Sequence, residues 1–166
     1  MSIEGKAWVF GHNIDTDVIV PGRLLAAPID EAAQHAFEAI APDFSKTVKP
    51  GDLLVAGRNF GCGSSRENAP QVIKHLGIAC VLAESFARIF FRNAIAIGLP
   101  VLVVEDISAQ VKTGTVLSIN LERAEVKLFE SAEALKAKPL HPTMLSFLKA
   151  GGVDGMLKQI REKNNG

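Results

Sequence analysis

The sequence predicts a mixed α/β fold: a parallel βαβαβ core, followed by a β-hairpin and terminal helices. Three observations carry this reading. Between Leu53 and Val104, short apolar runs alternate with helical stretches across brief connections, which is the pattern of a parallel sheet. Beyond Thr115 the pattern changes to two short strands separated only by Leu121 to Ala124, which is that of an antiparallel hairpin. No internal repeat, low-complexity segment or long linker interrupts the 166 residues, so one domain over residues 1–166 is the simplest organisation.

Taken in order, Lys6 to Phe10 reads as a short strand and Gly11 to Asp17 as a polar turn. Val18-Ile19-Val20 is β-branched and reads as extended, stopped by Pro21-Gly22. Ile29 to Ile40 is Ala-rich and reads as a helix, with Pro42 just past its end. After the turn at Pro50-Gly51-Asp52, Leu53 to Ala56 is an apolar strand and Gly57 to Gly63 a glycine-rich loop. A helix then runs to about Leu76, with Gly77 as its stop. Ile78 to Ala83 is a second buried strand. A second helix opens at Glu84 or Ser85 and ends at Gly98, and Val101 to Val104 is the third strand. Thr115 to Asn120 and Glu125 to Phe129 form the hairpin, and Pro142 to Ala150 and Asp154 to Lys163 form helices around Gly151-Gly152.

Composition narrows the function classes. Eighteen Lys+Arg balance eighteen Asp+Glu. With no dense basic block, nucleic acid is not an expected partner. A small acidic substrate stays compatible, because a few placed arginines hold it without changing net charge. The apolar stretch Ala94 to Val104 is broken by Gly98 and Pro100 and falls short of the roughly 20 residues a membrane span needs. No apolar h-region follows Met1, so no secretory signal is expected. The two cysteines, Cys62 and Cys80, form neither a CxxC pair nor a disulfide framework, which favours a reducing cytoplasm. His12, His35, His75 and His141 are scattered without metal-ligand spacing, and no metal site is expected on this chain.

Chemistry concentrates in Gly57-Arg58-Asn59-Phe60-Gly61-Cys62-Gly63-Ser64-Ser65-Arg66-Glu67. Its glycines let the backbone turn tightly and approach a ligand. A loop leading into a helix N-terminus presents free amides and the positive end of the dipole to an anion. Arg66 is suited to a carboxylate through two parallel hydrogen bonds. A serine at this point has the surroundings to act as a base. The plainer reading is that Ser64 and Glu67 form a capping box. Pro70 opposes it, because a proline so far inside a helix removes a hydrogen bond; Asn68 as the cap, with Pro70 in the first turn, is the alternative, and it leaves both serines free. Three other glycine-loop chemistries fail. Arg66 breaks the dinucleotide fingerprint, no Gly-Lys-Ser/Thr follows for a P-loop, and Glu67 stands where a hydrolase elbow needs glycine.

Gly61 to Glu67 resembles the signature of the swivelling domain of aconitase and its relatives. Ser85-Phe86-Ala87-Arg88-Ile89-Phe90, with Arg92-Asn93-Ala94, is similar to the second block of that family. Asp15-Thr16-Asp17, then Ile19 and Pro21, resembles its N-terminal block. The three blocks lie in the family order and span Gly5 to about Val104, and the total length suits the short form of the 3-isopropylmalate dehydratase and homoaconitase small subunit.

The resemblance implies an aconitase-like swivelling domain and a hydro-lyase that moves a hydroxyl between neighbouring carbons of a di- or tricarboxylic acid. It implies a [4Fe–4S] cluster carried by a large subunit, in a heterodimer or heterotetramer. Two cysteines far apart cannot supply the three thiolates a cluster needs, whatever the family. By residue, Ser64 matches the catalytic base, and Ser65 and Arg66 match substrate-carboxylate contacts. Asp17 matches an acid near the active site, against a plainer reading of Asp15 and Asp17 as turn caps. Gly61 and Gly63 shape the loop, and Cys62 is a small loop residue rather than a cluster ligand. Arg88 and Arg92 share a helical face; Arg88 is a candidate support for the loop, and a solvated or intersubunit ion pair is the plainer reading of the two.

Gly22-Arg23-Leu24-Leu25-Ala26-Ala27-Pro28 resembles the loop that separates substrates within the family, and departs from both of its usual forms. Leu24 and Leu25 suit a branched alkyl group, whereas a tricarboxylic acid asks for a further cation that Ala26 does not supply; Arg23 is the candidate. Isopropylmalate is therefore the expected substrate, in leucine biosynthesis. Dimethylmalate and homoaconitate are the alternatives, and a non-catalytic anion-binding regulatory module is the reading from another class.

Overall fold

The apolar runs pair in parallel in the computed structural model, which describes residues 1–166. Strands Ser2–Val9 (β1), Leu53–Ala56 (β2), Cys80–Ala83 (β3) and Val101–Val103 (β4) lie side by side, with Ala7 opposite Leu53, Leu53 opposite Cys80, and Val81 opposite Val101. Every residue of β2 and β3 is buried. Successive side chains of a strand point to opposite faces, so both faces of this part of the sheet are covered. The covering helices include Asn68–His75 (α4) between β2 and β3, and Arg88–Ala96 (α5) between β3 and β4. Both are followed by a positive-φ glycine, Gly77 and Gly98.

The second half of the sheet is antiparallel. Val116–Asn120 (β5), Glu125–Leu128 (β6) and Ala134–Lys136 (β7) extend it, giving the order β4-β3-β2-β1-β5-β6-β7. The first strand serves both halves: Ser2 to Lys6 pair with β5, and Ala7 to Val9 pair with β2. The sheet curls until its two edges touch. Val104 bridges Ala137, and the Lys138 amide donates to the Val103 carbonyl at 2.8 Å. Pro142–Ala150 (α7) and Val153–Asn164 (α8) close the chain, and no helix is long and apolar enough to cross a membrane.

Three sequence expectations are corrected. Val18 to Val20 is not extended; Thr16–Ile19 (α1) is a helical turn, because the Asp15 carboxylate accepts from the Val18 amide at 2.8 Å and caps it. The helix expected over Ile29 to Ile40 is regular only over Ile29–Gln34 (α2). Phe37 then takes φ 59°, which stacks its ring on Phe10 at 4.8 Å and sets it against Phe44 at 5.0 Å. The helix expected from Glu84 or Ser85 begins only at Arg88, because Phe86 is held extended: the Ala87 amide donates to the Phe60 carbonyl, and the Phe60 amide to Ser85. Phe44–Thr47 (α3), Ile107–Gln110 (α6) and β7 were not expected. Each is one turn or a few residues long, too short for a periodic pattern.

Candidate active site

The site is built where the N-terminal segment runs alongside the glycine-rich loop, at the carboxyl ends of the parallel strands. The Asn13 amide donates to Arg58, the Gly61 amide to Ile14, and the Thr16 amide to Cys62, so Asn13 to Thr16 zips to Arg58–Cys62 as a short parallel ladder. Thr16, 3% exposed and the buried polar residue of the core, donates its hydroxyl to the Ser64 carbonyl at 2.9 Å. Ser64 is fixed by its backbone while its side chain stays exposed. The Arg66 amide turns back onto the same carbonyl at 2.9 Å, which puts Ser65 at the tip.

Beneath the loop is an aromatic base. Phe60 meets Phe90 edge-on at 5.1 Å, and Phe86 stacks parallel to Phe90 at 6.2 Å. Gly61 lies against this base at φ +80°.

Helix α4 starts at Asn68, with Glu67 in the capping position and Pro70 in its first turn. Asn68 is thus the first helical residue and not the expected cap, and Ser64 does not cap the helix, in line with the Pro70 argument against a capping box. The second helix contributes as well. Ala87 offers no side-chain cap to α5, and the amides of Arg88, Ile89 and Phe90 have no acceptor within the protein. A cleft of about 290 Å³ joins these features; Ser64, Ser65 and Arg66 line one wall and Ala87, Arg88 and Ile89 the other. Free amides, a positive helix end and two guanidinium groups around paired hydroxyls suit a carboxylate.

Six of the expected site residues thus line one cleft: Gly61, Gly63, Ser64, Ser65, Arg66 and Arg88. Asp17 joins them indirectly. Its carboxylate accepts from the Arg66 guanidinium at 3.0 Å, and the Val20 carbonyl accepts from the same nitrogen at 2.9 Å. The substrate-loop residues behave differently. Arg23 points away from the loop to Glu38, at 2.6 Å. The His35 hydrogen bond, then Arg23, holds the Glu38 carboxyl below the usual carboxylate range. Leu24 is buried in the core and is not the exposed pocket wall expected of it, whereas Leu25 is 48% exposed. The loop still adjoins the site, since Gly22 packs beside Asp17 and Arg66. Thr16 and the free amides of α5 were missed as site groups. Thr16 stood in a recognised block, but nothing in its spacing signalled burial; the amides depend on where α5 begins.

The two cysteines do not fit an iron–sulfur cluster on this chain. Cys80 lies sealed in β3, where burial pushes its thiol far above the usual range. Cys62 sits in the loop, and burial, then the Asp15 carboxylate, raises its thiol too. No group of three or more His, Cys, Asp or Glu side chains is arranged to hold a metal ion.

Residues 28–106 match the family model described as the aconitase C-terminal domain, which defines the class of fold and loop seen here. The isopropylmalate/citramalate isomerase small subunit of Methanocaldococcus jannaschii is 50% identical over 158 residues, covering 95% of this chain and 94% of that one. The 3-isopropylmalate dehydratase small subunit of Halothermothrix orenii is 46% identical, covering 95% and 96%. The methanogen homoaconitase small subunit of Methanothermobacter thermautotrophicus is 47% identical, covering 95% and 92%. A crystal structure of 3-isopropylmalate dehydratase from Methanocaldococcus jannaschii superposes with a TM-score of 0.91 at 40% identity, covering all of both chains. The chain belongs to the 3-isopropylmalate dehydratase and homoaconitase small-subunit family.

Proposed function

We propose that this chain is the small subunit of an iron–sulfur hydro-lyase that interconverts 2- and 3-isopropylmalate in leucine biosynthesis, in the cytoplasm. The observation that carries the reading is the cleft in which Ser64, Ser65 and Arg66 face the uncapped start of α5. Full-length similarity to small subunits named for this reaction supports it. The partner is a cluster-bearing large subunit, whose cluster supplies a Lewis acid for the leaving hydroxyl. On this chain, the Ser64 alkoxide takes the proton beside a substrate carboxylate and becomes the neutral hydroxyl. Arg66, Ser65 and the α5 amides hold that carboxylate and favour the charged form of the serine. Asp17 fixes the plane of the Arg66 guanidinium, leaving its remaining donors for the substrate.

The substrate reading rests on the loop after Pro21. Arg23 is engaged by Glu38 and brings no free cation to a third carboxylate. Leu25 offers an apolar surface to a branched alkyl group. Leu25→Arg is accordingly expected to lower kcat/KM for isopropylmalate about tenfold or more, and to raise it for homoaconitate. Unchanged ratios for the two acids would remove Leu25 from the substrate pocket.

The test is co-expression with the large-subunit gene nearest to this one, anaerobic cluster reconstitution, and alkene absorbance with isopropylmalate, dimethylmalate, citramalate, homoaconitate and citrate. Turnover of isopropylmalate above the others is the expected result. A chain that binds a dicarboxylate alone and joins no cluster-bearing partner would replace the enzyme with a regulatory anion-binding module.

A further inference from the structure

The Ser64 cleft does not end at Arg88. A second hollow of about 370 Å³ shares Arg88 with it and is bordered by Arg92, Lys138, Phe91 and Met144. A third, of about 310 Å³, shares Arg92, Phe91 and Met144 with the second, and runs on between α5 and α7 past Ile95 and Phe147. The three hollows follow one another along α5, each sharing side chains with the next, and together form a groove from the serines to the start of α8, where Val153 borders it. Its character changes along the way. The middle is cationic: Arg88, Arg92 and Lys138 are exposed, and none has an ion-pair partner within the chain. The acid there, Glu84, already accepts from Ser108 and lies beside His12. The far end is almost wholly apolar. Arg88 and Arg92 stand four residues apart on one stripe of α5, and Phe91 and Ile95 four apart on the next.

We propose that this groove seats the large subunit, through a segment of that partner carrying acidic residues followed by apolar ones. The proposal rests on the functional reading above. A partner that brings its cluster to Ser64 must cover the first hollow, and the second adjoins it across the Arg88 side chain. Unpaired cations call for carboxylates, and the apolar end calls for aliphatic or aromatic side chains.

The experiment is equilibrium and kinetic binding of the full chain to the reconstituted large subunit, comparing wild type, R92E/K138E, and K46E/K112E as a control that reverses two exposed charges outside the groove. The proposal expects R92E/K138E to weaken the complex about tenfold or more and to slow association, with the difference shrinking as salt rises; K46E/K112E stays at the wild-type value. Equal weakening by both variants would make it an effect of net charge and overturn the groove. So would a groove that mediates self-association, seen as R92E/K138E dissolving an oligomer of this chain while binding the large subunit normally. If the variants bind as wild type does, only the docking surface falls; if the wild-type chain binds no cluster-bearing partner, the proposed function falls with it.

Discussion

Replacing Ser64 with alanine is expected to lower kcat of the assembled enzyme by about a thousandfold, the scale of removing a positioned base, while the complex still forms. The expectation follows from how Ser64 is held. Thr16 and the Arg66 amide grip its backbone carbonyl, and alanine keeps that carbonyl. The side chain is exposed and makes no hydrogen bond within the chain, so its removal leaves neither a cavity nor an orphaned partner. Ser65→Ala is the internal comparison: it removes a carboxylate donor and not the base, so the loss falls more on KM than on kcat. Steady-state rates with isopropylmalate, beside gel filtration of the complex, check both. A Ser64→Ala enzyme that assembles and keeps its rate would remove Ser64 from the role of base.

Gly61→Ala is expected to destabilise the chain by about 2–4 kcal/mol, combining backbone strain with overpacking. Gly61 has φ +80°, where side chains are rare, and a Cβ there would stand 2.3 Å from the Phe90 ring. Phe90 is 3% exposed and packs against Phe60 and Phe86, so displacing it disturbs the aromatic base. Gly63 supplies the contrast. It has φ +93°, but its nearest neighbour, the Asp15 side chain, lies at an ordinary 3.4 Å. Gly63→Ala is left with the strain alone, about 1 kcal/mol. Urea unfolding of the isolated chain measures the difference; equal losses at the two positions would show that the aromatic base yields and is not the rigid support of the loop.

The parallel core was legible because buried strands advertise themselves: Leu53–Ala56 and Cys80–Ala83 are apolar at every position, and glycines stop the helices between them. That Ser64, Ser65 and Arg66 come together on one cleft was legible from their place in one glycine-rich loop, while the roles expected of them came from the family resemblance. What stayed hidden depends on contacts across the chain. Val18 to Val20 is β-branched and reads as a strand, yet one carboxylate three residues before the Val18 amide turns it into a helix. The start of α5 was placed too early because Phe86 pairs with Phe60, residues far apart in sequence, and only that pairing reveals the free amides. Leu24 and Leu25 look alike as letters; the turn at Gly22–Leu24 sends one into the core and leaves the other outside.

The double duty of β1 has a consequence for how the protein comes into being. Its residues make the parallel ladder with Leu53 to Val55 and the antiparallel ladder with Val116 to Asn120, so Ser2 waits for Asn120 before it finds its neighbour. A chain emerging from the ribosome holds its first strand half-mated until most of its length has been made. Pairing across so long a stretch is slow. Because both halves of the sheet hang on this one strand, loss of its register releases them together, and melting is expected to proceed as a single cooperative step.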